Sequence, residues 1–229
     1  MKYVFFREGA ASKLIREPGN LPERMSSGLR GRGAEAIVNS ATVFEPRPLV
    51  RRRGFSFMAQ IIFITGGARS GKSRLAEELA ARLGAPLGYL ATGSAGDGEM
   101  AERIARHRAR RGDAWTTIEE PLALAEALAA QDGRFAAVLV DCVTLWLSNL
   151  LFSLDDPARV LDEVETLTRT FPSLRTPLII VSNEVGMGIV PENRLARQFR
   201  DLAGEANERI AAAADEVYVT LSGLPLRLK

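Results

Sequence analysis

A continuous apolar run, QIIFIT at 60–65, breaks into the glycine-rich stretch GGARSGKS at 66–73 and passes at once into helical periodicity, with Leu75, Leu79 and Leu83 at i, i+4 and i+8. An uninterrupted β-branched strand is the pattern of one buried on both faces, so the chain needs a sheet covered by helices on either side. The octapeptide fits G-x-x-x-x-G-K-S from Gly66, and it stands where that pattern has physical meaning, between a strand and a helix start. Glycines let the backbone wrap closely around phosphates, the N–H groups point inward, and the helix N-terminus adds partial positive charge. Gly66, Gly67, Ala68, Arg69, Ser70, Gly71, Lys72 and Ser73 therefore read as a triphosphate cradle, with Lys72 reaching the β- and γ-phosphates and Ser73 ligating Mg²⁺.

Strand-like and helix-like segments alternate downstream. Gly84 closes the first helix, and LGYLAT (87–92) is the next strand. A helix over 98–111 follows with Asp97 as its cap, then a short strand, WTTIE (115–119). Pro121 opens a helix, FAAVLVD (135–141) is a strand, Pro157 opens another helix, and PLIIVS (177–182) is again a strand. A long helix over 193–214 and a last strand, EVYVTLS (216–222), complete the pattern. Such alternation predicts a three-layer α/β architecture with a mostly parallel sheet.

Charge divides the chain. Residues 1–57 hold 11 Lys/Arg against 5 Asp/Glu, net +6, which leaves net −4 for 58–229. That first segment keeps neither helical nor alternating periodicity, and Met58 stands just before the first convincing strand. It is expected to be mostly disordered, with 58–229 forming one domain. No basic stripe with interleaved aromatics occurs outside it, which argues against a nucleic-acid partner. The apolar stretch 136–154 approaches the length of a membrane span, but Asp141 interrupts it and Gly133-Arg134 makes a turn before it. No span is expected. The single cysteine, Cys142, excludes an internal disulfide and a multi-cysteine zinc site and agrees with a reducing, cytoplasmic compartment.

Two further positions carry chemistry. Asp141 ends a buried apolar strand, where nucleotide-binding α/β proteins hold the carboxylate that supports Mg²⁺; capping the following helix is the competing role. Ligand sites in open α/β sheets gather beyond such strand ends, so Thr92, Asp141 and Asn183 should converge with the glycine loop on one rim. His107 is the only histidine, and Arg106, Arg108, Arg110 and Arg111 surround it. Met100, Ile104 and His107 fall at 0, +4 and +7, so the ring leans toward an apolar stripe. The guanidinium groups suit the oxygens of a polyphosphate, and their field disfavours the imidazolium, leaving a neutral ring able to attack phosphorus. A solvated helix face and simple phosphate binding are the alternatives.

Together the stretches FITGGARSGKSRLAE, EMAERIARHRARRGDAWTTIE, NLLF and SNEVGMGIVPENRLARQFRDLAGEANERIAAAADEVY resemble the bifunctional adenosylcobinamide kinase/adenosylcobinamide-phosphate guanylyltransferases of cobalamin biosynthesis. The resemblance spans nearly all of 58–229 and none of 1–57. It implies a P-loop fold like that of RecA-type proteins, assembled as a homotrimer. It also implies two reactions: phosphorylation of adenosylcobinamide by ATP or GTP, then transfer of GMP from GTP through a histidine to adenosylcobinamide phosphate. By resemblance His107 is the guanylylated histidine and Gly66 to Ser73 the phosphate loop. Ala91, Thr92 and Gly93 match a second nucleotide-contacting stretch, and Arg108, Ala109, Arg110 and Arg111 a nucleotide-binding segment. Glu119 and Asp141 match two nucleotide- or metal-associated acids. Some relatives carry a second histidine where this chain has Arg106. The loop beginning at Asn183 and Glu184 suits either the acceptor substrate or a trimer contact. Two other readings stay open: a different P-loop small-molecule kinase in which His107 only binds phosphate, and a GTP-dependent regulatory module.

Overall fold

A computed structural model describes residues 3–8, 11–16, 59–93 and 112–229. Contacts divide the chain into two units, 1–45 and 46–229. In the first, β1 (Tyr3–Glu8) pairs antiparallel with β2 (Ala11–Arg16), Tyr3 opposite Arg16 and Glu8 opposite Ala11. This ribbon lies within the stretch expected to be mostly disordered. Residues 17–58 fall outside the described residues.

The second unit is built on a seven-stranded sheet. Its strands are β3 (Ile61–Gly66), β4 (Leu87–Ala91), β5 (Trp115–Glu119), β6 (Ala137–Asp141), β7 (Leu178–Val181), β8 (Glu216–Leu221) and β9 (Leu224–Arg227). Their spatial order is β5-β4-β6-β7-β3-β8-β9, all neighbours parallel except the final β8–β9 hairpin. The first strand thus lies between β7 and β8, and the chain moves outward to β4 and β5 before returning. Such reversal of strand order opens a crevice beyond the carboxyl ends.

Alternate side chains of β3 feed two cores, as the period of two demands. Ile61 and Phe63 join Leu90, Val138, Val140, Leu178 and Ile180 in one cluster. That cluster is completed by α2 (Leu124–Gln131), α3 (Val143–Leu154), α4 (Pro157–Thr170) and α5 (Arg194–Ala213), through Leu128, Trp146, Leu147, Val160, Val164 and Ile210. Ile62 and Ile64 are equally buried but belong to the other side, where α1 (Lys72–Ala81) turns Leu75, Ala76, Leu79 and Ala80 inward and packs on β3, β6 and β7. Helices therefore cover both faces, the expected three-layer arrangement. Among the described residues no helix is long and apolar enough to cross a membrane.

Local chemistry sets the ends of these elements. Gly84 takes the left-handed conformation, φ +107°, just beyond α1. Asp156 accepts the Ala158 N–H at 2.9 Å to start α4, and Asn193 accepts the Ala196 N–H at 3.1 Å to start α5. The helix expected to open at Pro121 begins instead at Leu124. Glu120 is the reason: its carboxylate accepts the N–H groups of Leu122 and Ala123, at 3.0 and 2.8 Å. In addition, Trp146 Nε1 donates to the Leu122 carbonyl at 2.8 Å, so the backbone ahead of Leu124 is committed to a turn. The helix expected over 98–111 lies outside the described residues.

Candidate functional site

The glycine loop joins β3 to α1 on the carboxyl rim, between β7 and β8. Gly66 has φ +147°, and a Cβ there would meet the Thr220 carbonyl oxygen at 2.5 Å and its Oγ1 at 2.7 Å, so only glycine lets the loop leave the strand beside β8. Gly71 is the N-cap of α1 in the left-handed region, φ 100°, and no side chain caps the helix. An α-helix N-terminus without a side-chain cap carries partial positive charge and suits an anion. Lys72 is 7% exposed, and its Nζ donates to the carbonyls of Gly66 and Gly67 at 2.8 and 2.7 Å.

Asp141 ends β6 and accepts a hydrogen bond from Ser73 Oγ at 3.0 Å. It does not cap α3, whose N-cap is Cys142 without a side-chain bond to the helix amides. A hydroxyl and a carboxylate, both hard oxygen donors, fit Mg²⁺, which takes one or two carboxylates and completes its shell with phosphates and waters. Among the described residues no group of three or more His, Cys, Asp or Glu is placed to hold a metal without such help.

The register gathers the other expected residues. Ala91 lies opposite Glu119 on one side and Asp141 on the other, and Asp141 lies opposite Val181. Adjacent strands are about 4.8 Å apart, which sets the exposed Glu119 roughly 10 Å from Asp141 along the rim. Thr92 is fully buried; its Oγ1 accepts the Cys142 N–H at 2.9 Å and donates to the Cys142 carbonyl at 2.7 Å, locking the end of β4 to the start of α3. Gly93 abuts Leu145, whose side chain would lie 2.9 Å from an added Cβ. The Glu184 N–H donates to the Gly66 carbonyl at 3.0 Å, so the Asn183–Glu184 loop begins directly beside the glycine loop. Asp141 and the Asn183–Glu184 loop thus adjoin the glycine loop, while Thr92 follows the carboxyl end of β4 on the same rim with its side chain committed to Cys142. His107, Arg108, Ala109, Arg110 and Arg111 lie outside the described residues, as does Arg106.

Burial, aided by the neighbouring Asp141 carboxylate, pushes the Cys142 thiol up to about 11. It is 6% exposed and acts as a small apolar group, not a nucleophile.

Several supporting residues escaped the sequence reading. Thr144 Oγ1 accepts the Asn183 N–H at 2.8 Å, and Asn207 Nδ2 donates to the Asn183 carbonyl at 3.2 Å. Asn149 Nδ2 donates to the Thr92 carbonyl at 2.7 Å. Asn207 had one visible signal, a polar residue in the inward stripe Leu202, Ala203, Ala206, Ile210 of α5. Asn149 stood in the NLLF stretch that carries the family resemblance, though without a role of its own, and Thr144 had no signal.

A glycine loop between the central strand and its helix, an uncapped helix end, a buried lysine and a serine–carboxylate pair define a P-loop nucleotide-binding protein of the α/β class. Residues 62–228 match the family described as cobinamide kinase / cobinamide phosphate guanyltransferase, and the chain belongs to that family. It is 52% identical over 166 residues to the bifunctional adenosylcobalamin biosynthesis protein CobP of Pseudomonas aeruginosa, covering 72% of this chain and 95% of that one. It is 43% identical over 181 residues to the bifunctional adenosylcobalamin biosynthesis protein CobU of Salmonella typhimurium, covering 74% and 99%. Among solved structures, the flagellar accessory protein FlaH of Methanocaldococcus jannaschii shares 16% identity over 74% of this chain and 78% of its own, at a TM-score of 0.43, too slight a likeness to carry an argument.

Proposed function

We propose that this chain is a bifunctional cobalamin-biosynthesis enzyme that phosphorylates adenosylcobinamide with ATP or GTP and then transfers GMP from GTP to adenosylcobinamide phosphate, giving adenosylcobinamide-GDP. The observation that carries it is the Ser73–Asp141 pair beside the glycine loop, in a chain that matches the family over 62–228.

In the first reaction a substrate hydroxyl attacks the γ-phosphorus, the bond to the bridging oxygen breaks, and the nucleoside diphosphate leaves. Lys72 exchanges the Gly66 and Gly67 carbonyls for phosphate oxygens as the triphosphate enters, which places its charge on the leaving group. Ser73 and Asp141 would hold Mg²⁺, which supplies charge neutralisation on the phosphates. In the second reaction a neutral nitrogen of His107 attacks the α-phosphorus of GTP and pyrophosphate departs. A phosphate oxygen of adenosylcobinamide phosphate then displaces the imidazole, and the electron pair of the P–N bond returns to the ring. Arg108, Arg110 and Arg111 bind phosphate oxygens during both displacements, and Glu119, roughly 10 Å along the rim from Asp141, suits the guanosine end.

The assembly is a cytoplasmic homotrimer in this reading. The loop after Asn183 exposes Met187 (80%), Ile189 (97%) and Val190 (59%) close in sequence to Leu195 at the start of α5, which supports an interface there; the threefold count and the compartment come from the family resemblance.

The test follows two labels. With adenosylcobinamide present, GTP labelled at the γ-phosphate should mark adenosylcobinamide phosphate and the adenosylcobinamide-GDP made from it, and GTP labelled at the α-phosphate should mark adenosylcobinamide-GDP alone. γ-Transfer without α-transfer would leave a kinase alone. GTP turnover with neither would favour a regulatory module.

A further inference from the structure

The phosphate loop is not shaped by its own sequence alone. Ser70 Oγ and Thr220 Oγ1 lie 2.6 Å apart, both buried, across 150 residues of chain. The Gly223 N–H donates to the Ser70 carbonyl at 2.9 Å, and Arg74 Nη2 donates to the Gly223 carbonyl at 3.4 Å. A Cβ on Gly71 would lie 3.3 Å from Gly223 Cα. Thr220 sits in register with Gly66 on β8, and the turn to β9 is a tight one, with Ser222 at φ 52° and Gly223 at φ 85°. Both side-chain and main-chain atoms of Ser70 are thus held by one hairpin.

We propose that the β8–β9 hairpin is a positioning element for the nucleotide, acting through Ser70: the Thr220 hydroxyl and the Gly223 N–H hold the middle of the loop in its phosphate-receiving shape before the ligand arrives. The physical need is plain. Gly66 and Gly71 both take positive φ values, so the loop's ends are hinges with little conformational preference of their own. A loop that must be ordered on binding loses affinity by the cost of ordering it, and an anchor at its centre removes that cost beforehand. Linkage makes the effect reciprocal: a nucleotide that is helped by the hairpin must stabilise the hairpin by the same factor. The proposal rests on the reading of Gly66 to Ser73 as the triphosphate site.

The experiment compares wild type with Thr220→Val and Thr220→Ser by calorimetric binding of Mg·GTP below the unfolding transition, and by GTP-dependent turnover. Thr220→Val should raise the Kd about tenfold, equivalent to about 1.4 kcal/mol, and raise KM with it, while kcat at saturating GTP stays within about twofold; Thr220→Ser should restore affinity. In the wild type alone, amide exchange at Gly223 should slow about tenfold when Mg·GTP binds, a readout that stands even if Thr220→Val does not fold. Wild-type affinity in Thr220→Val, or Gly223 exchange indifferent to nucleotide, overturns the positioning role and leaves the nucleotide site intact. Failure of the wild type to bind Mg·GTP overturns the site itself and the positioning with it.

Discussion

Replacing Asp132 by alanine removes the acceptor that ties the end of α2 to the chain entering β7. Its carboxylate takes the N–H groups of Arg175 and Thr176, each at 2.9 Å, and the Arg175 Nε at 3.0 Å. Arg175 is 66% exposed, so that ion pair contributes well under 1 kcal/mol. The two backbone amides matter more, at about 1 kcal/mol each, for a total loss of about 2 kcal/mol. The same geometry sets a pH dependence. Burial pushes the Asp132 carboxyl up, but the hydrogen bonds from Arg175 and Thr176 outweigh it and bring the group from 3.8 down to about 2. A carboxylate depressed in the folded state stabilises it above the unfolded value, and the gain is lost as pH falls from 3.8 toward about 2. Urea unfolding of wild type and Asp132→Ala at a series of pH values measures both effects. The gap should be about 2 kcal/mol at neutral pH and shrink steadily once the pH drops below about 4. A gap under about 0.5 kcal/mol at neutral pH, or one that does not change on acidification, refutes the reasoning.

Other perturbations reach the site directly. Gly66→Ala places a methyl 2.5 Å from the Thr220 carbonyl oxygen at φ +147°, and should cost roughly 3 kcal/mol in denaturant unfolding together with loss of nucleotide binding. Lys72→Ala should leave the fold cooperative yet weaken Mg·GTP binding on the order of a hundredfold, as read by calorimetry, because the charge opposite the phosphates is gone. Cys142, with its thiol pushed up to about 11, should resist alkylation at pH 8 in the native protein and react only as the chain unfolds in denaturant.

The parts of the fold legible in the sequence were those whose information is local. The apolar run into Gly66, the glycine spacing and the leucines of α1 lie within 25 residues of one another, and together they dictate a strand, a loop and a helix. Asp141 stood out by its place, the carboxyl end of a buried apolar strand, but its hydrogen bond from Ser73, 68 residues away, is a matter of the fold. What stayed hidden depends on distant chain segments. The start of α2 is set by Glu120, Trp146 and Asn149 acting on Pro121, Leu122 and Ala123, a combination that propensity cannot register. The strand β9 is short, contains Pro225 and lies at the edge of the sheet, with Leu224 and Leu226 exposed, so it lacks the buried run that marked the others. Its only cue was the Ser222-Gly223 dipeptide, a turn signal between two short apolar stretches. Thr220 meets Ser70 of the glycine loop from 150 residues away, and nothing in its own neighbourhood announces it; Asn207 shows itself as a polar residue in an apolar stripe, but its partner, the Asn183 carbonyl, lies 24 residues away.

The central claim is that one imidazole carries the GMP between donor and acceptor. The direct measurement is peptide mapping of the protein after incubation with GTP labelled at the α-phosphate and no cobinamide. A label on the peptide containing His107, labile in acid, stable in base and absent from His107→Ala protein that still binds Mg·GTP, is the result predicted. Label persisting in the His107→Ala protein, or mapping to any other residue, contradicts it.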